Sequence, residues 1–83
     1  MKFIVYILQS GFDNSYYIGL TVNLKERLLE HNHGTKGYTR KKRPWRIIHF
    51  EEYQTKTEAL IREKYLKKLK NKKYIQKLVS AGP

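Results

Sequence analysis

Glu63 is an isolated carboxylate among basic residues, and it could hold a metal ion. It is the one acidic residue between Glu58 and the C-terminus. On a helix it lies about 40° from Ala59 and about 60° from Leu66, at the border of the apolar side. Mg²⁺ is bound in proteins by one or two carboxylates together with substrate phosphate and water. An ion pair with Lys67, four residues further on, is equally compatible with this position.

Arg27 and His31 could bind phosphate from one face of a helix, because they are four residues apart. The planar guanidinium of arginine donates two parallel hydrogen bonds and keeps its charge. An ion pair of Arg27 with Glu30 and an exposed His31 near the helix end are the alternatives.

Two tyrosines, Tyr6 and Tyr17, lie in two short runs of β-branched and aromatic residues. Because side chains alternate along a strand, both can face one side of a sheet, but the register stays open at this level. Two half-buried tyrosines that only pack are the alternative. Gly19 follows the second tyrosine, and glycine in a strand marks a bulge or a close backbone approach.

A basic loop over residues 34–44 interleaves cations with aromatic residues. This combination suits backbone contacts to nucleic acid together with stacking on bases. A solvated loop is the alternative, and Trp45 is expected in the core. The candidate nucleic-acid-binding residues are Lys36, Tyr38, Arg40, Lys41, Lys42 and Arg43.

The charge is concentrated in the second part of the chain. Of 83 residues, 18 are Lys or Arg and 7 are Asp or Glu, and the net charge of +11 arises entirely beyond residue 35. Such a field attracts polyanions, of which nucleic acid is the commonest in a cytosol. The absence of cysteine excludes disulfides and thiolate metal sites. The longest apolar run, of six residues, is too short to span a membrane, and with no signal peptide evident we expect a cytoplasmic protein.

Three strands and three helices must position these residues. Capping boxes begin two helices, one at Asn23 with Glu26 and one at Thr55 with Glu58. Strands are predicted over residues 2–9, 15–20 and 45–53, and helices over about 24–33, 56–70 and 71–79.

The order β-β-α-β-α-α predicts an α+β fold, with a three-stranded, mainly antiparallel sheet flanked by helices. We expect one domain over residues 1–83, with a core of about 3–70 and a frayed tail at 80–83. The apolar side of the second helix is predicted to carry Ala59, Ile61, Tyr65, Leu66 and Leu69.

The ordered set of motifs resembles the GIY-YIG nuclease domain, and in particular its small stand-alone bacterial members. The triplet Tyr17-Ile18-Gly19 matches letter for letter, whereas Ile4-Val5-Tyr6 keeps the tyrosine of the first triplet. Residues 17–32, Tyr38-Thr39-Arg40 and Glu58-Ala59-Leu60 extend the similarity. It covers about residues 3–70.

The resemblance implies roles for five catalytic residues. Tyr6 and Tyr17 would border the scissile phosphate, and one of them would help to activate water. Arg27 would stabilise transition-state charge, and His31 would assist proton transfer or position a tyrosine. Glu63 would hold a single divalent ion, Mg²⁺ or Mn²⁺, with no small-molecule cofactor. Some members also carry an asparagine after this helix, and the candidate is Asn71.

The expected function is a metal-dependent DNA endonuclease, such as a nickase for branched or damaged DNA in repair. A binding module of the same fold without catalysis and an RNA-associated basic protein are the alternatives. Many family members have a lysine directly after the second triplet, where this chain has Leu20, and this departure favours the binding module. A carboxylate within the basic region favours the enzyme.

Overall fold

The computed structural model describes residues 2–34, 40–69 and 71–80, and it has the predicted element order. Helix α1 and the third strand have their predicted bounds, and the other elements differ from prediction by one or two residues at their ends. None of the helices described is long and apolar enough to cross a membrane. The strands are β1 (Phe3–Ser10), β2 (Tyr16–Thr21) and β3 (Trp45–Tyr53), and the helices are α1 (Leu24–His33), α2 (Lys56–Lys68) and α3 (Lys72–Ser80).

The sheet is antiparallel with the order β2-β1-β3, so β1 is the central strand. This place follows from its sequence, because four consecutive apolar residues need cover on both faces. All four are at most 1% exposed: Val5, Tyr6, Ile7 and Leu8.

Helices cover the two faces of the sheet and create two apolar clusters. On one face, Val5 and Ile7 of β1 lie in a cluster with Leu66 of α2 and Ile75 of α3. On the other face, Tyr6, Leu8 and Trp45 form a second cluster, against which Leu24 and Leu28 of α1 pack. The candidate tyrosine Tyr6 therefore belongs to the face covered by α1.

The predicted caps form at both helix starts. The side-chain oxygen of Asn23 accepts the Glu26 backbone N–H at 3.1 Å, and that of Thr55 accepts the Glu58 N–H at 3.2 Å. Asn71 acts in the same way before α3, where its Oδ1 accepts the N–H of Tyr74 at 2.8 Å. The structure thus gives Asn71 a capping role, in which its oxygen is engaged by the backbone.

The predicted apolar side of α2 was wrong for two residues. Ile61 and Tyr65 are 65% and 47% exposed, whereas Ala59 and Leu66 are fully buried. The buried stripe runs through Ala59 and Leu66. At 100° per residue, Ile61 lies about 140–160° from it and Tyr65 about 100–120°, so both fall outside it. Arg62 lies nearer the stripe, about 40–60° from it, and its guanidinium is held by a carboxylate of the sheet.

That carboxylate, Glu51 of β3, accepts four hydrogen bonds. Arg62 donates from Nε and Nη2 at 2.8 and 3.0 Å, the Tyr53 hydroxyl donates at 2.6 Å, and His49 Nε2 donates at 2.8 Å. Burial alone raises the pKa of Glu51, but these hydrogen bonds outweigh it and lower the pKa to about 2. The network ties α2 to β3 at Arg62, the residue directly before Glu63.

We expect the fold to lose stability in acid because of Glu51. Its pKa lies below the ordinary value of 4.5, so the stabilisation is present above about pH 4.5 and is lost as the pH falls towards 2. The shift corresponds to about 3 kcal/mol of unfolding free energy. Urea unfolding between pH 7 and pH 2 should show this loss in the wild type and a flatter profile in Glu51→Gln. The control is Glu52→Gln, which changes an exposed neighbour; equal profiles for all three proteins would contradict the assignment.

Candidate active site

A glycine lets the phenol of Tyr6 cross the neighbouring strand. Tyr6 of β1 lies directly opposite Gly19 of β2. A Cβ built on Gly19 would overlap the hydroxyl and ring carbons of Tyr6, far inside contact distance. Because Tyr6 is 1% exposed, its ring has little room to move away. The absence of a side chain at Gly19 is therefore what allows the phenol to occupy this place.

Three rings meet beside this glycine. Tyr6 is paired with Gly19, and Tyr17 lies two residues before Gly19 on β2. Because side chains alternate along a strand, both tyrosines face the side of the sheet covered by α1. The Tyr6 hydroxyl and Nε2 of His31 are 3.1 Å apart in a buried hydrogen bond. The ring of Tyr17 contacts His31 edge-on at 4.6 Å between centroids and lies 6.3 Å from the Tyr6 ring. Both tyrosines therefore contact His31, Tyr6 by a hydrogen bond and Tyr17 by a ring contact.

Burial keeps the Tyr6–His31 pair neutral. Burial and the nearby Tyr17 raise the pKa of Tyr6 well above its usual range. Burial, followed by the positive charge of Arg27, lowers the pKa of His31. A neutral His31 can accept the hydroxyl proton of Tyr6 at Nε2 if it carries its own proton on Nδ1. Such a pair can relay a proton from a third group to the imidazole.

Arg27 and Glu63 lie within electrostatic range of the same phenol. After burial and Tyr17, the charge of Arg27 lowers the pKa of Tyr6 and that of Glu63 raises it. Glu63 is largely buried, with 15% of its side chain exposed, and it pairs with Lys67 at 3.3 Å. Arg27 pairs with Glu30 at 3.6 Å. Both ion-pair alternatives therefore occur, and the charges of Arg27 and Glu63 both act on the Tyr6 phenol.

Neither ion pair prevents these residues from binding a ligand. The side chains of Arg27, Glu30 and Lys67 are 44%, 56% and 55% exposed. The Arg27–Glu30 pair is exposed on both sides and contributes about 0–1 kcal/mol, so a phosphate can replace Glu30. In the Glu63 pair only Lys67 is exposed, and a cation that replaces Lys67 would meet a largely buried carboxylate.

The donor set at Glu63 suits a metal ion that the substrate helps to hold. The described residues contain no group of three or more His, Asp or Glu placed to ligate a metal. A single carboxylate nevertheless fits the way Mg²⁺ binds with substrate phosphate and water as its other ligands. Glu63 fits this mode, because it is a single, largely buried carboxylate whose charge acts on the Tyr6 phenol.

The basic loop divides into exposed cations and cations engaged by the fold. Arg40 and Lys41 are exposed. Lys42 pairs with Asp13 at 2.9 Å, and Arg43 Nε donates to the backbone oxygen of His31 at 3.1 Å. These last two residues therefore hold the loop against the β1–β2 connection and α1. The predicted contacts of Lys36 and Tyr38 lie outside the described residues.

Asn32 is a site residue that the sequence analysis missed. Its side chain accepts the backbone N–H of Trp45 at 2.6 Å and donates to the Trp45 carbonyl at 3.0 Å. It thereby fixes Trp45 beside Tyr17 and His31, at centroid distances of 6.1 and 6.5 Å. The one available signal was its position next to His31.

Comparison with protein families agrees with the resemblance seen in the sequence. The family described as GIY-YIG catalytic domain matches residues 2–76, most of the chain. A UPF0213 protein of Listeria welshimeri is 44% identical over 68 residues, which are 81% of this chain and 74% of that protein. A UPF0213 protein of Clostridium perfringens is 42% identical over 77 residues, 92% of this chain and 82% of the relative.

A solved structure shows the same fold. The solution NMR structure of a UPF0213 protein from Bacillus halodurans superposes with a TM-score of 0.62 at 31% sequence identity. The match covers 99% of this chain and 86% of that one. The predicted α+β fold, with its three-stranded antiparallel sheet and its element order, is confirmed.

Proposed function

Because the chain belongs to the GIY-YIG catalytic domain family, we propose that it is a divalent-metal-dependent DNA endonuclease. The family supports a nuclease-like role on nucleic acid; the choice of DNA and the catalytic residues are our proposal. The observation that carries it is the hydrogen bond between Tyr6 and His31, with Arg27 and Glu63 in electrostatic range of the phenol.

In the proposed reaction, Tyr6 and His31 activate the attacking water. The Tyr6 hydroxyl donates a hydrogen bond to Nε2 of His31, and its oxygen keeps a lone pair for a hydrogen bond from a water molecule that must reach the buried phenol. As the water attacks phosphorus and the P–O bond to the leaving oxygen breaks, one water proton passes to the Tyr6 oxygen, the phenol proton passes to His31, and the leaving oxygen takes a proton from solvent. The phenol stays neutral throughout, which agrees with its raised pKa.

Arg27 and Glu63 serve the phosphate in this proposal. The guanidinium of Arg27 exchanges Glu30 for a phosphate oxygen and offsets the charge that develops in the transition state. Glu63 provides the protein ligand for a divalent ion, which when bound neutralises phosphate charge and assists departure of the leaving oxygen. Mg²⁺ and Mn²⁺ are the ions that suit oxygen ligands of this kind.

A nicking assay with Arg27 variants tests the function. Supercoiled, branched and damaged DNA are incubated with wild type, Arg27→Lys or Arg27→Ala in Mg²⁺, Mn²⁺ or EDTA. We expect metal-dependent nicking by wild type and a loss on the order of 100-fold in Arg27→Ala, because a transition-state charge loses its partner. Arg27→Lys keeps the charge but loses the planar guanidinium with its two parallel hydrogen bonds, so its activity should fall between those of wild type and Arg27→Ala. No nicking of any substrate by wild type would overturn the proposal.

A binding module of the same fold is the second candidate, and a specific observation favours it. Glu63 is held by Lys67, and position 20 carries leucine where many relatives have lysine. In that case wild type binds DNA without cutting it, and Glu63→Gln binds equally well. Preferential binding of RNA at matched salt would instead indicate the RNA-associated protein.

A further inference from the structure

Helix α3 presents a lysine-rich face that the proposed reaction does not use. Lys72, Lys73 and Lys77 are exposed, and Gln76 lies among them. No acidic residue follows Glu63 in the sequence. Within the described residues, none of these three lysines has an ion-pair partner. In the basic loop, by contrast, the fold itself engages Lys42 and Arg43.

We propose that this face of α3, defined by Lys72, Lys73 and Lys77, binds the backbone of duplex DNA and holds the substrate for the active site. The inference rests on the proposed function for the identity of the polyanion. Lys73 and Lys77 are about one helical turn apart, so the charges are spread along the helix. Nine helical residues extend about 13 Å, the rise of about four base pairs.

The burial of the apolar face of α3 argues against a membrane as the ligand. A basic amphipathic helix that binds a membrane inserts its apolar side into the lipid. Here Ile75 is fully buried, and Tyr74, Leu78 and Val79 pack against the core of the sheet. Only the lysine-bearing side of α3 is exposed for binding. It can attract an anionic ligand by charge, with no apolar surface of the helix inserted into that ligand.

The composition of this face favours a duplex over a single strand. Single-stranded nucleic acid is typically held by aromatic side chains on which bases stack. The exposed side of α3 carries lysines and glutamine, and its tyrosine, Tyr74, faces the core. Lysine contacts to phosphates are independent of sequence and suit a nuclease that is guided by DNA shape.

The test measures how binding depends on salt for two matched pairs of substitutions. Lys73→Gln with Lys77→Gln removes two charges from the face. Lys2→Gln with Lys56→Gln removes two charges elsewhere, and Lys73→Arg with Lys77→Arg preserves the charge. Fluorescence anisotropy with a labelled duplex in EDTA, over a salt series, gives the slope of log affinity against log salt without cleavage.

We expect the α3 glutamine pair to reduce the slope by about 2 and the affinity by roughly 50-fold at 0.1 M salt, because each lost phosphate contact changes the slope by about 0.9. The arginine pair should match wild type, and the control pair should change the slope by less than about 0.5. Equal effects of both glutamine pairs would overturn the inference. So would tighter binding to the single strand, or binding to phosphatidylserine vesicles in preference to duplex.

The failure of this inference can be separated from that of the proposed function. Binding in EDTA requires no catalysis, so a reduced slope without nicking by wild type would leave α3 as a DNA-binding face on a non-catalytic protein. Metal-dependent nicking with an unchanged slope in the α3 glutamine pair would retain the nuclease and reject the face.

Discussion

Replacing Glu63 by glutamine should strongly reduce metal-dependent nicking and leave DNA binding in EDTA unchanged. The amide keeps the size of the side chain but removes the charge that would hold the divalent ion. A bound ion stabilises the transition state by several kcal/mol, so we expect a loss of about 100- to 1,000-fold in the rate of nicking. A titration of Mn²⁺ should require higher concentrations or reach no plateau in Glu63→Gln.

Glu58→Gln is the matched control for this change. It makes the same substitution on the same helix, at an exposed capping residue whose amide can still accept a hydrogen bond. We expect it to nick DNA at the wild-type rate. Wild-type nicking by Glu63→Gln at every metal concentration would contradict the role in metal binding. If Glu63→Gln also lost duplex binding in EDTA, Glu63 would instead be needed for the structure of the DNA-binding surface.

Adding one methyl group at Gly19 should damage both the fold and the site. The new Cβ would overlap the hydroxyl and adjacent ring carbons of Tyr6, which is buried and hydrogen-bonded to His31. The phenol must then leave its place and its hydrogen bond. Overpacking of this kind costs about 1–3 kcal/mol. We expect Gly19→Ala to lower the free energy of unfolding by this amount, measured by urea unfolding. We also expect it to reduce nicking, because the Tyr6 hydroxyl is displaced from the site.

A double-mutant cycle tests the cause of this loss. Tyr6→Leu removes the ring that the new methyl group would meet. If the ring is the cause, Gly19→Ala should cost less in the Tyr6→Leu background than in wild type, with a coupling of about 1 kcal/mol or more. Equal costs in the two backgrounds would assign the effect to the β2 backbone instead.

Local patterns in the sequence were sufficient for the elements of this fold. The apolar run of β1 required cover on both faces, and β1 is the central strand. The capping boxes at Asn23 and Thr55 marked where α1 and α2 begin. These signals involve residues three or four apart, so their physical causes lie within the segment itself.

The sequence proposed the candidate site as a set of residues, because the order of the motifs resembles a known family. Their roles in catalysis stay predictions that the proposed experiments test. The sequence indicated that Glu63 lies at the border of the apolar side, and it left the choice between Lys67 and a metal open. In the structure Glu63 pairs with Lys67 and also lies within electrostatic range of Tyr6.

Tertiary structure decided the contacts between distant parts of the chain. Tyr6 and His31 are 25 residues apart, and Glu51 and Arg62 are 11 apart. The register that sets Tyr6 against Gly19 depends on how two strands pair, which neither strand specifies alone. Helical periodicity places Arg62 near the buried stripe of α2, but it does not reveal the partner, Glu51 of β3. Composition and local patterns thus determined a basic α+β domain and its candidate residues, whereas long-range packing determined that Tyr6, Tyr17 and His31 contact one another.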